Sequence, residues 1–124
     1  MSYELVYPWK NNPRLMKMYF LEALAAEDVA DALESVAALL DQALMPLHVV
    51  LDFEGMTSTP EDILNVFSNS RITNHDMMGY CVFLNPDQFL SFVAKVLNNK
   101  LDMQVHVSVD DDDAWEFFNQ LGLC

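Results

Sequence analysis

The chain has 124 residues, 52% of them hydrophobic, which is material for one domain around one core. Its 19 acidic residues face only 6 basic ones, a formal net charge of -13. Such a surface repels nucleic-acid backbones and anionic membranes, and it favours a protein partner that presents a basic patch.

The N-terminal stretch Met1-Ser2-Tyr3-Glu4-Leu5 has no basic region leading into an apolar run, so no signal peptide is expected. Apolar runs fall well short of the ~20 residues that span a bilayer. Cys81 lies inside an apolar run and Cys124 is the last residue. A buried thiol and a terminal thiol are expected in place of a disulfide, and the cytoplasm is the compartment that fits.

Tyr3 to Trp9 alternates loosely, as a half-buried strand does, with Tyr3, Leu5, Tyr7 and Trp9 on one side. Asn11-Asn12-Pro13 supplies a turn, and Arg14 to Leu24 reads as a second strand closing a hairpin. From Glu27 to Ala43, Val29, Leu33, Val36, Ala37, Leu40 and Leu44 recur at steps of three and four, the stripe of an amphipathic helix that Pro46 stops. Leu47 to Leu51 then runs as a buried parallel strand, interrupted only by His48. Thr59-Pro60-Glu61-Asp62 reads as a helix start, with a hydroxyl cap, an N1 proline and two first-turn acids. The short helix beyond it buries Ile63, Val66 and Phe67.

The pattern recurs twice. Tyr80 to Leu84 is an apolar strand, Asn85-Pro86-Asp87 repeats the cap-proline-acid start, and Phe89, Phe92, Val93, Val96 and Leu97 form the stripe of a third helix. Gln104 to Val109 is a further strand. Asp110 to Asp113 opens a last helix carrying Trp115, Phe118 and Leu121, with Gly122 placed as its C-terminal cap. The expected class is α/β in the order β-β-α-β-α-β-α-β-α, a mainly parallel mixed sheet of about five strands with helices packed on it, in a single domain over residues 1–124.

This order, with Val49-Val50-Leu51-Asp52-Phe53-Glu54-Gly55-Met56-Thr57 running from a strand into an acid, a glycine and a small turn, resembles a STAS domain. That fold is shared by anti-sigma-factor antagonists and the cytoplasmic tails of sulfate transporters, and a lipid-transfer-related relative has the same topology. The resemblance implies a regulatory module whose next helix starts at a phosphorylatable serine. Here Thr57-Ser58-Thr59-Pro60-Glu61-Asp62 stands in place of the family's Asp-Ser-Ser-Gly-like stretch, with Pro60, Glu61 and Asp62 at the aligned positions. Three readings stay open: Ser58 or Thr59 takes the role from a shifted position, the acids mimic a permanently charged state, or the switch is gone.

Thr57, Ser58 and Thr59 are thus phospho-site candidates, set against plain capping by Thr59 and against four nearby acids, Asp52, Glu54, Glu61 and Asp62, that oppose an added phosphate. Those acids are in turn the candidate partner-binding face. Asp110 to Asp113 lacks the ligand spacing of a calcium loop and reads as an acidic helix start. His48, His75 and His106 have no zinc-ligand spacing. Three glycines cannot build a phosphate loop, and no nucleophile motif occurs. The expectation is a non-enzymatic protein-binding module with no metal or cofactor, docking a basic protein partner and not nucleic acid or membrane, with a homodimer left open. A carrier of a small apolar or lipid ligand, suggested by the wealth of Phe, Leu and Met, is the alternative.

Overall fold

The computed structural model describes residues 3–101 and 103–123. Five strands form one sheet in the order β1-β2-β3-β4-β5: β1 (Tyr3–Val6), β2 (Leu15–Ala23), β3 (Leu47–Ser58), β4 (Met78–Leu84) and β5 (Val105–Ser108). Four helices complete it: α1 (Ala26–Asp41), α2 (Ile63–Asn69), α3 (Gln88–Lys100) and α4 (Asp111–Gln120), with a 3-10 turn over Arg71–Asn74. Only β1 runs antiparallel, against β2. Spatial order follows chain order, so the crossovers through α1, α2 and α3 all step the same way. Right-handed connections then put these helices on one face of the sheet, and among the described residues α4, with Trp9, covers the other.

The main core lies under α1–α3. Met16, Met18 and Phe20 of β2, Val49, Leu51 and Phe53 of β3, and Cys81 and Phe83 of β4 meet Leu33, Val36 and Leu40 of α1 and Val93 and Leu97 of α3. Phe20 stacks on Phe53 with centroids 5.2 Å apart, and Phe83 contacts both Phe53 and Phe67 at 5.1 and 5.3 Å. The Cys81 thiol is fully buried, which pushes its pKa far up. Leu15, Val50, Val82 and Leu84 face the other way, onto Ala114 and Phe118 of α4. Alternation along each strand sorts the two cores.

Several boundaries differ from the sequence reading. The first strand ends at Val6, after which the cis Tyr7–Pro8 bond turns the chain. The turn is Trp9 to Asn12, closed by the Asn12 amide on the Trp9 carbonyl at 3.1 Å, with positive φ at Lys10 and Asn11. That geometry is a type I′ turn. Helix α1 ends at Asp41, and Leu44, expected on its apolar stripe, is 98% exposed because the chain has already left the helix. Asp87, not Asn85, caps α3, its carboxylate accepting from the Leu90 amide. Asn85 itself has φ 54 and belongs to the preceding turn. The expected C-cap holds: Gly122 has φ 73, and the Leu123 and Gly122 amides return to the Phe118 and Asn119 carbonyls, a Schellman end.

Candidate functional site

Strand β3 is twelve residues long, and its two neighbours do not match it. Pairing with β4 ends at Asp52 opposite Leu84, whereas pairing with β2 continues to Ser58 opposite Ala23. Between Tyr19 and Leu21, and again between Glu22 and Ala23, the register slips so that β3 carries an extra residue each time. Bulges of this kind bend and twist a strand. The end of β3 therefore peels away from β4 and stands out beyond the sheet's carboxyl edge. Gly55 permits the bend: a Cβ there would lie 2.8 Å from Leu21 Cδ2 and 3.2 Å from the Phe20 carbonyl oxygen.

The overrun displays Glu54, Thr57 and Ser58 to solvent, followed by exposed Glu61 and Asp62. The helix expected to start at Thr59 starts at Ile63 instead. Its flanking residue is Asp62, with no side-chain cap, so the reading of Thr59 as the cap is corrected. The Thr59 hydroxyl donates to Asp87 Oδ2 at 2.9 Å, tying the β3–α2 turn to the start of α3. Thr57 and Ser58 lie in the strand and not at a helix N-terminus, so no helix dipole favours a phosphate on them.

Asp52 stands apart from the other candidates. It is 6% exposed and turned toward the α4 face, with Oδ2 3.4 Å from Lys17 Nζ. Its Oδ1 accepts the Glu54 amide at 2.9 Å. Lys17 is 1% exposed, bonds Asp111 Oδ1 at the start of α4, and lies over the Tyr19 ring at 4.5 Å. Burial works against its charge, but Asp111 and Asp52 more than offset this and hold the pKa above the ordinary lysine value. This cluster, buried at Lys17 and Asp52 and open to solvent at Asp111, joins β2, β3 and α4. Its one signal in the sequence is Lys17 itself, a cation between Met16 and Met18 in an apolar strand.

Where β3 leaves β4, a cleft of about 270 Å³ opens. Glu54, Thr59 and Asp87 rim it, with Met56 and Leu90 below, and no lysine or arginine lines it. It arises from strand overrun and not from a reversal of strand order, since the order contains no switch point. Two acids at the start of α4 are committed locally. Asp110 caps α4 through the Asp113 amide at 2.8 Å, and Asp113 Oδ2 accepts the Val109 amide at 3.3 Å.

The histidines are dispersed. His48 is buried, its Nδ1 accepting the Tyr80 amide at 2.9 Å, while Nε2 has no hydrogen-bond partner among the described residues. Burial, helped by the charge of Arg14, lowers its pKa to about 4. His106 stacks on Phe117 with centroids 3.8 Å apart. His75, in the polar connection after α2, pairs with Asp41 of α1 at 2.8 Å. Arg71 bridges Glu34 and Asp41 beside it, so this connection is pinned to α1.

Solved structures resemble this arrangement over nearly the whole chain. One is an uncharacterised protein of the DUF3478 family from Shewanella loihica PV-4 with a SpoIIAA-like fold. It covers 99% of this chain and 94% of its own at 10% identity, with a TM-score of 0.70. Another is the Bacillus cell-fate determinant SpoIIAA in its phosphorylated form, which covers 94% of this chain and 98% of its own at 11% identity, with a TM-score of 0.64. The fold is SpoIIAA-like. That is the STAS-like or anti-sigma-antagonist-like arrangement of elements that the element order implied, at the level of fold. No family model and no curated protein matches the sequence. Among the described residues, no helix is long and apolar enough to cross a membrane.

Proposed function

We propose that this chain is a non-enzymatic regulatory module of the cytoplasm that captures a protein partner through the acidic overrun of β3 and the turn into α2. The observation that carries this is the overrun itself: five candidate residues, Glu54, Thr57, Ser58, Glu61 and Asp62, are exposed together beyond the sheet edge. A strand extended past its neighbour and bent by two bulges is an outlay of order that the core does not require. Four of the six bases of the chain (Lys17, Arg71, Lys95 and Lys100) lie on other elements, and the two remaining, Lys10 and Arg14, lie in the turn region before β2. A partner with a basic patch fits such a surface. Asp52 serves Lys17 and contributes to the inside of the site, not to the docking face.

A carrier of an apolar ligand would need room between the sheet and α1–α3. Phe20, Phe53, Phe67 and Phe83 contact one another across that layer, which favours the binding module over the carrier. The module is tested by capture from a lysate of the source organism, followed by Glu61→Lys and Asp62→Lys. Loss of a specific partner with the melting temperature kept supports the reading. Capture unaffected by both substitutions sinks it. Intact-mass analysis of the same material reads out an added phosphate, and peptide fragmentation assigns it to Thr57, Ser58 or another hydroxyl.

A further inference from the structure

Helix α3 carries an apolar stripe that its own core does not use. Phe89 is 40% exposed and Phe92 is 54% exposed, while Leu90, Val93, Ala94 and Leu97 are the residues that face the core. Phe89, Phe92 and half-buried Val96 recur at steps of three and four and so share one flank of the helix. The opposite flank is identified by Asn98, whose Oδ1 accepts the Val105 amide of edge strand β5. Phe89 is nine residues from Asn98, about 180° around the helix. Phe89 therefore turns away from the β5 edge and toward α2, which packs beside α3, and Phe92 projects next to it into solvent.

Two exposed phenylalanines one turn apart, at the first two turns of a helix, are an uncommon surface feature in a chain of such high charge. Their position is specific. Asp87 caps the same helix end, and Thr59 hydrogen-bonds that carboxylate, so the stripe begins where the acidic cleft of Glu54 and Asp87 ends. Of the two bases of α3, exposed Lys95 lies one turn beyond Phe92 in mid-helix, and Lys100 is its last residue. Apolar contact and negative charge thus sit side by side, and an anionic membrane is a poor match for the second.

We infer that the α2–α3 flank around Phe89 and Phe92 is the seat of an amphipathic, basic helix of the partner, whose apolar side chains rest on the two rings while a lysine or arginine enters the cleft between Glu54 and Asp87. Helix-in-groove recognition uses such anchors at helical spacing, and aromatic residues at the centre with charge at the margin match the anatomy of protein interfaces. The inference rests on the binding-module reading and names the chemistry of its partner.

The probe is a fluorescein-labelled synthetic helix of about 18 residues with leucines at i, i+3, i+4 and i+7 and lysines or arginines elsewhere. Its control is a peptide of identical composition with the periodicity scrambled. The whole chain is expected to bind the amphipathic peptide roughly tenfold or more tightly than the scrambled one. Phe92→Ser is expected to remove that preference and Phe92→Leu to keep most of it, with both variants retaining the wild-type circular dichroism. Phe89→Ser provides a second variant should one of them fold poorly. Equal binding of the two peptides, or indifference to both serine substitutions, overturns the inference. If the serine variants bind normally while Glu61→Lys loses its lysate partner, the module survives and the helix seat does not. A wild-type dimer in sedimentation velocity that Phe92→Ser converts to monomer also overturns it, since the flank would then be covered by a second copy.

Discussion

Lys17 and Asp52 face each other from adjacent parallel strands, Nζ 3.4 Å from Oδ2, with 1% and 6% of their surfaces exposed. Asp111 reaches the same ammonium from the first residue of α4. The pair is thus a link between the sheet and the one helix on its far face. Removing Lys17 leaves the Asp52 carboxylate buried and uncompensated. Lys17→Met is expected to destabilise the fold by about 3–5 kcal/mol, the usual penalty for breaking a buried ion pair from one side. Asp52→Leu alone should cost less, because Asp111 still neutralises Lys17. The double variant Lys17→Met/Asp52→Leu should recover much of the loss, as apolar replacements of buried pairs do. Urea unfolding of the three variants decides the matter, and additive losses would exclude the coupling.

His48 makes stability depend on pH. Its folded pKa is about 4, against 6.5 for the free side chain, because burial and then Arg14 disfavour the imidazolium. Between those values the unfolded chain holds more protons than the folded one, so stability rises with pH through this window. The contribution is fully present above pH 6.5 and is lost as pH falls toward 4, with a size of about 3 kcal/mol from the linkage relation. His106, also lowered by burial with Asp113 opposing, adds in the same direction. Glu34, held low by Arg71, and Asp41, held low by His75 and Arg71, add their loss only at more acid pH. His48→Asn keeps an acceptor for the Tyr80 amide and does not titrate. Its denaturation midpoint should be flatter between pH 6.5 and 4 than that of the wild type, and an unchanged slope would remove His48 as the cause.

Gly79 precedes Tyr80 in β4, and a Cβ built on it would lie 2.3 Å from His48 Nδ1 and 3.0 Å from the Leu47 carbonyl oxygen. The His48 ring occupies the space that a side chain would need. Gly79→Ala is expected to cost roughly 1–3 kcal/mol by overpacking. In a His48→Ala background the same substitution should cost markedly less, since the ring is gone. Equal costs in the two backgrounds, read from thermal unfolding, would mean that the Leu47 carbonyl sets the limit.

The architecture was legible because the strands that carry it are continuous apolar runs separated by helical stripes. Val49 to Leu51 and Tyr80 to Leu84 could be placed by composition, and the parallel arrangement followed from the connections. The site was less legible, and the reason is local. Thr59-Pro60-Glu61-Asp62 has every residue a helix start prefers, yet the Thr59 hydroxyl is drawn off by Asp87, 28 positions away in sequence. A long-range partner outcompetes the local cap, and no pattern within the segment announces it. The same holds for Asp52, whose burial depends on Lys17 from a neighbouring strand and on Asp111 from the far end of the chain. Periodicity reveals a helix's apolar stripe but not its width. Of the stripe Phe89, Phe92, Val93, Val96 and Leu97, Val93 and Leu97 face the core, whereas Phe89 and Phe92 are exposed and Leu90 and Ala94 complete the buried face.

The tie between Thr59 and Asp87 offers a further test, because Asp87 does two things at once. One carboxylate oxygen accepts the Leu90 amide at 2.7 Å and so caps α3, while the other accepts the Thr59 hydroxyl at 2.9 Å. Thr59→Val removes only the second bond, and its cost should be about 0.5–1.5 kcal/mol, the net value of one hydrogen bond. Asp87→Ala removes both the bond and the cap and should cost about 1 kcal/mol more, the typical worth of an N-cap. In the Asp87→Ala background, Thr59→Val should then cost almost nothing, which a double-mutant cycle in urea measures directly. The same cycle constrains modification at this turn. A phosphate on Thr59 would face the Asp87 carboxylate and break the tie, whereas one on exposed Ser58 would leave it intact. Aspartate at Ser58 should accordingly leave the melting temperature near that of the wild type, and aspartate at Thr59 should lower it at least as far as Thr59→Val does. The reverse order would show that the tie does not hold the turn in solution.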